Sequence, residues 1–405
     1  MPSKKRKLLV TTSTFRRWKG DVTPPFVYDL SKRLARDFDI WVLAPHSGGA
    51  ARSEECEGMH IVRYRYGPDR YESLGERAIL PHLRKNPLSW LQVPFFLVAQ
   101  LRAVRKIAKE QGIHCIHAHW ILPQGIIAVL YKRLFDKDVR IVVTSHGGDI
   151  FGLRSRPLTL LKKWVLNHID HLTVVSSAIR DEVASLGIRT DLPIDVVPMG
   201  VDLSLFSPEH RDEGIRRTYA MTGPFLLFVG RLSEKKGVEY LIEAMPSILR
   251  DFPETKLLII GGGERKGALK ALCEQRGVQG SVIFVGTIAH NDLPAYYATA
   301  DIFIGPSVIA KGGDREGVPV TYMEAAASGC TLLGTDLEGN RDIIEDGRTG
   351  LMIRQRDPRH IADTVRYVLS NGNDMNEMSD RARRAVMHTF DWDDIAHRYG
   401  TILQP

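Results

Sequence analysis

The chain of 405 residues is 43% apolar and 25% charged and carries a formal net charge of +7. This composition is ordinary for a folded globular protein of two or three domains, and it excludes disorder, collagen-like repeats and coiled coil as overall descriptions. Its four cysteines, Cys56, Cys115, Cys273 and Cys330, are scattered and form no C-x-x-C pair, which argues against a disulfide framework or a Cys-based zinc site and for a reducing compartment.

In chain order, the basic start Met1-Pro2-Ser3-Lys4-Lys5-Arg6-Lys7 precedes Leu8-Leu9-Val10. That apolar run is too short for a signal peptide and reads as a strand over 7–12, so a cytoplasmic protein is expected. A helix over 24–36 and a strand over 40–44 follow. Residues 88–101 are the best candidate for a membrane span, but they fall short of the ~20 apolar residues required and contain Gln92, Pro94 and Gln100. Short strands over 115–118, 140–145 and 171–176 alternate with helix-length segments. After a polar stretch over 210–218 the alternation restarts, with strands over 225–229, 256–260, 282–285, 302–304 and 331–334. This pattern predicts α/β architecture with two doubly wound, Rossmann-like domains. They are assigned to 1–206 and 207–390. The last segment, from Asp391-Trp392-Asp393-Asp394, opens like a helix with acidic residues at its N-terminus.

Charge divides unevenly between these halves. Residues 1–205 hold 31 Lys and Arg against 20 Asp and Glu, a net of +11, and residues 206–405 hold 24 against 28, a net of −4. A one-sided basic half fits a negatively charged partner or a solvated basic face. Anionic lipid and a phosphorylated acceptor both qualify, and no nucleic-acid-binding motif supports DNA or RNA.

Ligands of doubly wound domains bind beyond the carboxyl ends of the strands, so the residues just after each strand carry the functional reading. In the first half these include Lys19-Gly20-Asp21, His117-Ala118-His119-Trp120 and His146-Gly147-Gly148-Asp149. His117 and His119 share a face of the strand end. Either could bond a hydroxyl, act as a base or sit as a satisfied core histidine, and a His-x-His pair without a third ligand is a poor metal site. In the second half, Arg231 and Lys236 follow the strand over 225–229, where two cations could neutralise a diphosphate; the plainer alternative is a solvated surface pair. Glu316 and Glu324 stand eight positions apart, with Pro319 expected at the first position of a helix. Carboxylates there could accept from sugar or ribose hydroxyls, or serve only the helix dipole. The run Gly261-Gly262-Gly263 does not complete G-x-G-x-x-G, because Lys266 occupies the last position, which disfavours a nicotinamide enzyme.

Taken together, these segments resemble family 4 glycosyltransferases of the GT-B fold over nearly the whole length. The marks are His117-Ala118-His119-Trp120, His146-Gly147-Gly148-Asp149, Val197-Pro198-Met199-Gly200-Val201-Asp202, Gly230-Arg231-Leu232 through Lys236-Gly237, Val285-Gly286, the E-x7-E from Glu316 to Glu324, Asp346-Gly347-Arg348-Thr349-Gly350-Leu351 and Phe390-Asp391-Trp392. The resemblance implies two Rossmann-like domains facing each other across a cleft, with the helix of about 391–405 packing back on the first. It also implies retaining transfer of a hexose-type sugar from a nucleotide sugar, UDP-linked by family habit, to a hydroxyl acceptor, with no cofactor and no metal.

By the same resemblance Arg231 and Lys236 hold the donor diphosphate, and Glu324 bonds the ribose. Glu316 meets the donor sugar, while backbone N–H groups of Gly317, Val318 and Val320 meet phosphate or sugar. Val285 borders the base, and Gly20 lets backbone approach the diphosphate. His119, with His117 as runner-up, contacts the sugar near the reacting carbon, and His146 and Asp149 lie on the acceptor or sugar side. Position 319 is Pro where many relatives have Gly, so its neighbours supply the N–H donors there.

The acceptor, a saccharide or a lipid-linked saccharide for polysaccharide or glycolipid assembly, is expected on the basic half. Residues 80–109 mix Trp90, Phe95, Phe96 and Leu97 with Arg84, Lys85, Arg102, Arg105, Lys106 and Lys109. This suits peripheral contact with an anionic membrane on the cytoplasmic face, against a core helix with a basic outer side. Two rival readings are a GT-B nucleotide-sugar epimerase, which would convert donor without acceptor, and a non-catalytic sugar-nucleotide binding protein, which would bind without turnover.

Overall fold

A computed structural model describes residues 5–404 except 19, 22, 76–78, 80–81, 84–85 and 312. Lys19, Leu80, Arg84, Lys85 and Gly312 of the sequence motifs thus lie outside the described residues. The chain packs into two units, one of Met1–Met199 with Trp392–Pro405 and one of Gly200–Asp391. The first unit ends somewhat before residue 206 because Val201 already pairs with the second: its N–H donates to Phe390 O at 2.9 Å.

The first unit holds an eight-stranded sheet in the order β3-β4-β2-β1-β5-β6-β7-β8. Its strands are β1 (Arg6–Thr11), β2 (Phe38–Pro45), β3 (Ser53–Cys56), β4 (Met59–Tyr64), β5 (Cys115–His119), β6 (Arg140–Ser145), β7 (His171–Val174) and β8 (Ile194–Val196). All pairings are parallel except β3 with β4. The terminal helix Trp392–Leu403 belongs to this unit. Arg398 donates to Val196 O at 2.7 Å, Arg140 to Ile402 O at 3.1 Å and Arg36 to Asp393 at 3.0 Å.

The second unit holds a fully parallel six-stranded sheet in the order β11-β10-β9-β12-β13-β14. The strands are β9 (Phe225–Val229), β10 (Lys256–Ile260), β11 (Val282–Gly286), β12 (Ile302–Gly305), β13 (Thr331–Thr335) and β14 (Leu351–Ile353). Apolar runs such as Phe225-Leu226-Leu227-Phe228-Val229 suit a sheet buried on both faces. Alternate residues divide between two cores. Phe225, Leu227 and Val229 join Tyr322, Met323 and Val386, while Leu226 and Phe228 join Leu241, Met245, Ile361 and Val365. The short strands β3, β4, β8 and β14 were not expected from the sequence. Three of them have only three or four residues, too few for a periodic signal, and β4 pairs with a polar edge strand, β3. No helix among the described residues is long and apolar enough to cross a membrane.

Both sheets reverse direction at their first strand: β1 lies between β2 and β5, and β9 between β10 and β12. In the second unit the reversal brings two loops into contact. Gly237 has φ +60°, and a Cβ there would lie 2.0 Å from Pro306 O. Only glycine allows the loop after β9 to lie on the loop after β12. Gly237→Ala combines left-handed strain with this clash and should cost about 1–3 kcal/mol of stability. Urea denaturation of the variant beside the parent protein checks this.

Candidate active site

The second unit gathers its candidate residues at the carboxyl ends of β9 and β12, where a doubly wound sheet opens. Glu316 lies in the loop after β12 and is the hub: its side chain is 12% exposed, with Lys236 Nζ 3.2 Å from one oxygen and Lys235 Nζ 3.3 Å from the other. Asp314 stands 3.5 Å from Lys235 on its other side. Burial alone would raise the Glu316 pKa, but Lys235 and Lys236 outweigh it and hold the carboxyl at about 2. Lys235 is the residue that motif reading passed over, although the doublet Lys235-Lys236 was visible.

Arg231 is more loosely held. It is 46% exposed and faces the equally exposed Glu264 at 3.3 Å, so it is available to a ligand. The run Gly261-Gly262-Gly263 has a packing role. A Cβ on Gly261 would lie 2.0 Å from Gly230 O, and one on Gly263 2.3 Å from Leu232 O, so these glycines seat the Arg231 loop against the end of β10.

Glu324 lies inside the helix Val320–Ala327, and Pro319 is the residue before that helix rather than its first residue. Both Glu324 oxygens have donors, His290 Nε2 at 2.8 Å and Tyr297 Oη at 2.9 Å. The burial of Tyr297 and the neighbouring Glu324 keep the phenol protonated far above its ordinary range. Each carboxylate oxygen retains lone-pair capacity for a hydroxyl. His290 and Tyr297 had no sequence signal, because they are 34 and 27 positions from their partner. Gly317, Val318 and Val320 form the half-buried approach to this helix, and Val285 is half-buried at the end of β11.

The first unit gathers histidines at the ends of β5 and β6. His117 is fully buried, and its Nε2 lies 2.7 Å from Thr144 Oγ1, which lies 2.6 Å from Thr173 Oγ1. Thr173 donates to Val143 O, so Thr144 donates to Thr173 and His117 Nε2–H donates to Thr144. This chain ties His117 into the sheet, with the Tyr399 ring of the terminal helix 5.5 Å away. His117 is therefore fixed within the sheet, and His119, equally buried, stands at the strand's end.

His119 Nδ1 and His146 Nε2 are hydrogen-bonded at 2.9 Å, and His119 Nε2 has no hydrogen-bond partner among the described residues. Burial is the main reason these rings stay neutral: it lowers the pKa of His117 and His146 to about 3 and that of His119 well below its usual value. Phe26 and Trp120 flank His146 with ring centroids 4.8 and 4.9 Å away. Trp120 has φ +76°, a strained conformation for a non-glycine residue, directly after β5.

Asp149 is occupied by structure. One oxygen accepts from Ile121 N and the other from Ser145 Oγ, both at 2.7 Å, while Lys162 donates to the carbonyls of Asp149 and Ile150. It positions the segment carrying Trp120 and His146. Gly20 has φ +83° in an exposed turn. That turn is closed by Asp21, which takes bonds from Arg17 and Thr23; burial opposes ionisation, but these partners hold the carboxyl at about 2.

His46, Asp69 and Glu72 are the one group of possible metal ligands among the described residues. Arg65 pairs with Asp69 and, at 2.8 Å, with Glu72, and Glu72 also accepts from Tyr66 N and Gly67 N, so the cluster is already satisfied by internal donors.

Comparison with known proteins gives a family model described as Glycosyltransferase Family 4 over residues 25–205 and one described as Glycosyl transferases group 1 over 213–385. The chain is 29% identical over 404 residues, 98% of each chain, to a GDP-mannose-dependent alpha-(1-6)-phosphatidylinositol monomannoside mannosyltransferase of Mycolicibacterium smegmatis. It is 32% identical to an uncharacterized glycosyltransferase of Methanocaldococcus jannaschii over 374 residues, 87% of this chain and 92% of the other. Among solved structures, sucrose-phosphate synthase from Thermosynechococcus elongatus superposes with a TM-score of 0.81 at 20% identity, covering 98% of both chains.

The neutral buried histidines set a pH signature. Between pH 6.5 and about 3 His117 binds a proton in the unfolded chain but not in the folded one, so stability should fall as pH drops through that window. His117→Asn should remove about 1.4 kcal/mol per pH unit of this slope. Chemical denaturation at pH 4.5, 5.5 and 6.5 measures it.

Proposed function

The chain belongs to glycosyltransferase family 4, and on that premise we propose that it transfers a hexose from a nucleotide sugar to a hydroxyl of a saccharide or lipid-linked acceptor, with retention and without a metal ion. The observation that carries this is the pairing of Lys236 with Glu316 at 3.2 Å at the switch point of the second sheet, with the loosely held Arg231 in the same loop after β9 as Lys236. Arg231 and Lys236 would neutralise the diphosphate as it leaves, in place of a cation. The leaving phosphate can take the proton of the incoming hydroxyl on the same face of the sugar, so retention needs no protein nucleophile, and the protein mainly positions the groups. Glu316 is an ionised acceptor for sugar hydroxyls, and Glu324, braced by His290 and Tyr297, one for ribose hydroxyls. His119, whose Nε2 has no partner among the described residues, would be the histidine that bonds a sugar hydroxyl.

The donor assigned by family habit was UDP-linked. The full-length likeness to a GDP-mannose-dependent enzyme supports GDP-mannose instead, and the phosphatidylinositol mannoside in that relative's name supports a glycolipid acceptor. In a thermal-shift screen GDP-mannose should raise the melting temperature, in keeping with about 2.7 kcal/mol at 100-fold excess over Kd. The shift should persist in EDTA and shrink in Lys236→Ala. Stabilisation by UDP-glucose alone would restore the UDP reading, and stabilisation by no nucleotide sugar would defeat the functional assignment.

Peripheral membrane contact also belongs to this proposal. The helix Val93–Gln111 buries Phe96, Gln100, Val104 and Ile107. Exposed Leu88, Trp90 and Leu91 lie in the turn just before it, and its outward stripe runs from exposed Phe95 and Val98 to exposed Arg102, Arg105, Lys106 and Lys109. Apolar insertion at one end and anion pairing at the other fit an anionic bilayer. The protein should float with phosphatidylglycerol vesicles at low salt, and Leu91→Ser with Phe95→Ser should abolish flotation. Equal flotation of this double variant would remove the helix from the contact.

A further inference from the structure

We propose that Lys235 is a positioning residue of the donor site: it keeps the Glu316 carboxylate ionised and in place when a bound diphosphate draws Lys236 away. This rests on the donor reading above. Two consecutive lysines reach the two oxygens of one carboxylate, at 3.3 and 3.2 Å, although charge balance needs only one. The surplus has an explanation in the order of charges, Asp314–Lys235–Glu316–Lys236, which is neutral as a whole. A diphosphate adds negative charge on the Lys236 side and competes for its N–H donors. Glu316 would then be a nearly buried anion without a partner, which is costly. Lys235 prevents that, and Asp314 keeps Lys235 itself paired.

The backbone anchors Lys235 for this task. Its carbonyl accepts from Val308 N at 2.8 Å, and Glu234 beside it accepts from Lys311 N at 3.0 Å, so the segment is fastened to the loop that carries Glu316. The other groups around Glu316 do not substitute for Lys235. Tyr322 is a buried phenol that the Glu316 charge helps keep protonated, and Arg315 is engaged with Glu338 at 3.1 Å.

The test uses the full chain with GDP-mannose as donor, UDP-glucose in parallel, and calorimetry with GDP and UDP. Lys235→Ala should leave nucleoside-diphosphate affinity within about threefold, lower kcat about tenfold or more, and move the acid limb of the kcat–pH profile, which reports the donor-bound enzyme, up by about one unit, because Glu316 then loses its ion at lower acidity. Lys235→Arg should restore kcat and the acid limb. If Lys235→Ala does not fold, Lys235→Gln replaces it with the same expectations. An unmoved acid limb with unchanged kcat would overturn the proposal. So would a loss of diphosphate affinity as large as that of Lys236→Ala, which would make Lys235 a phosphate ligand. If Lys236→Ala binds both diphosphates normally, the donor reading itself has failed, and the proposal with it.

Discussion

A parallel sheet brings every strand's exit to the same edge, and reversing the winding direction at one strand leaves a gap there that no crossover helix fills. This constraint governs both units. In the first it falls at β1 and collects the loop around Gly20 and the ends of β5 and β6. In the second it falls at β9 and collects the loops bearing Arg231, Lys235, Lys236 and Glu316. Residues separated by some eighty positions become neighbours because their strands are neighbours.

The two gaps are prepared in opposite electrostatic ways. In the second unit, cations surround a nearly buried carboxylate and keep it charged, which suits a ligand whose charge changes as a bond breaks. In the first unit, burial keeps three histidines neutral, so that their ring nitrogens act as directional hydrogen-bonding groups rather than charges. The hydroxyl chain from His117 through Thr144 to Thr173 fixes one ring by bonding alone. His146 does the same for His119 from the next strand. One unit thus carries an ionic cluster at its switch point, and the other a polar but uncharged one.

Much of this was legible in the residues. Ten strands showed as short apolar runs, and the order of the glycine, cation and glutamate motifs carried the family. What escaped was whatever depends on a partner far away in sequence. His290 and Tyr297 brace Glu324 from another helix and its approach. Asp149, read as a site residue, spends its oxygens on Ile121 and Ser145. The glycine run after β10 did not complete a dinucleotide fingerprint, and two of its members, Gly261 and Gly263, instead admit the neighbouring Arg231 loop. A short polar strand such as β3 leaves no period to read.

The sequence by itself determined the two doubly wound sheets and the residue types at their carboxyl edges, because strand and helix periodicity and glycine placement are local properties of the chain. Only the tertiary structure decided that Lys235 shares Glu316 with Lys236, that His117 is tied to the sheet through Thr144 and Thr173, and that His290 and Tyr297 brace Glu324. Those outcomes are set by distances between side chains on different strands. Such distances depend on strand order and on how closely two loops can pack, and neither is encoded in any single stretch of residues.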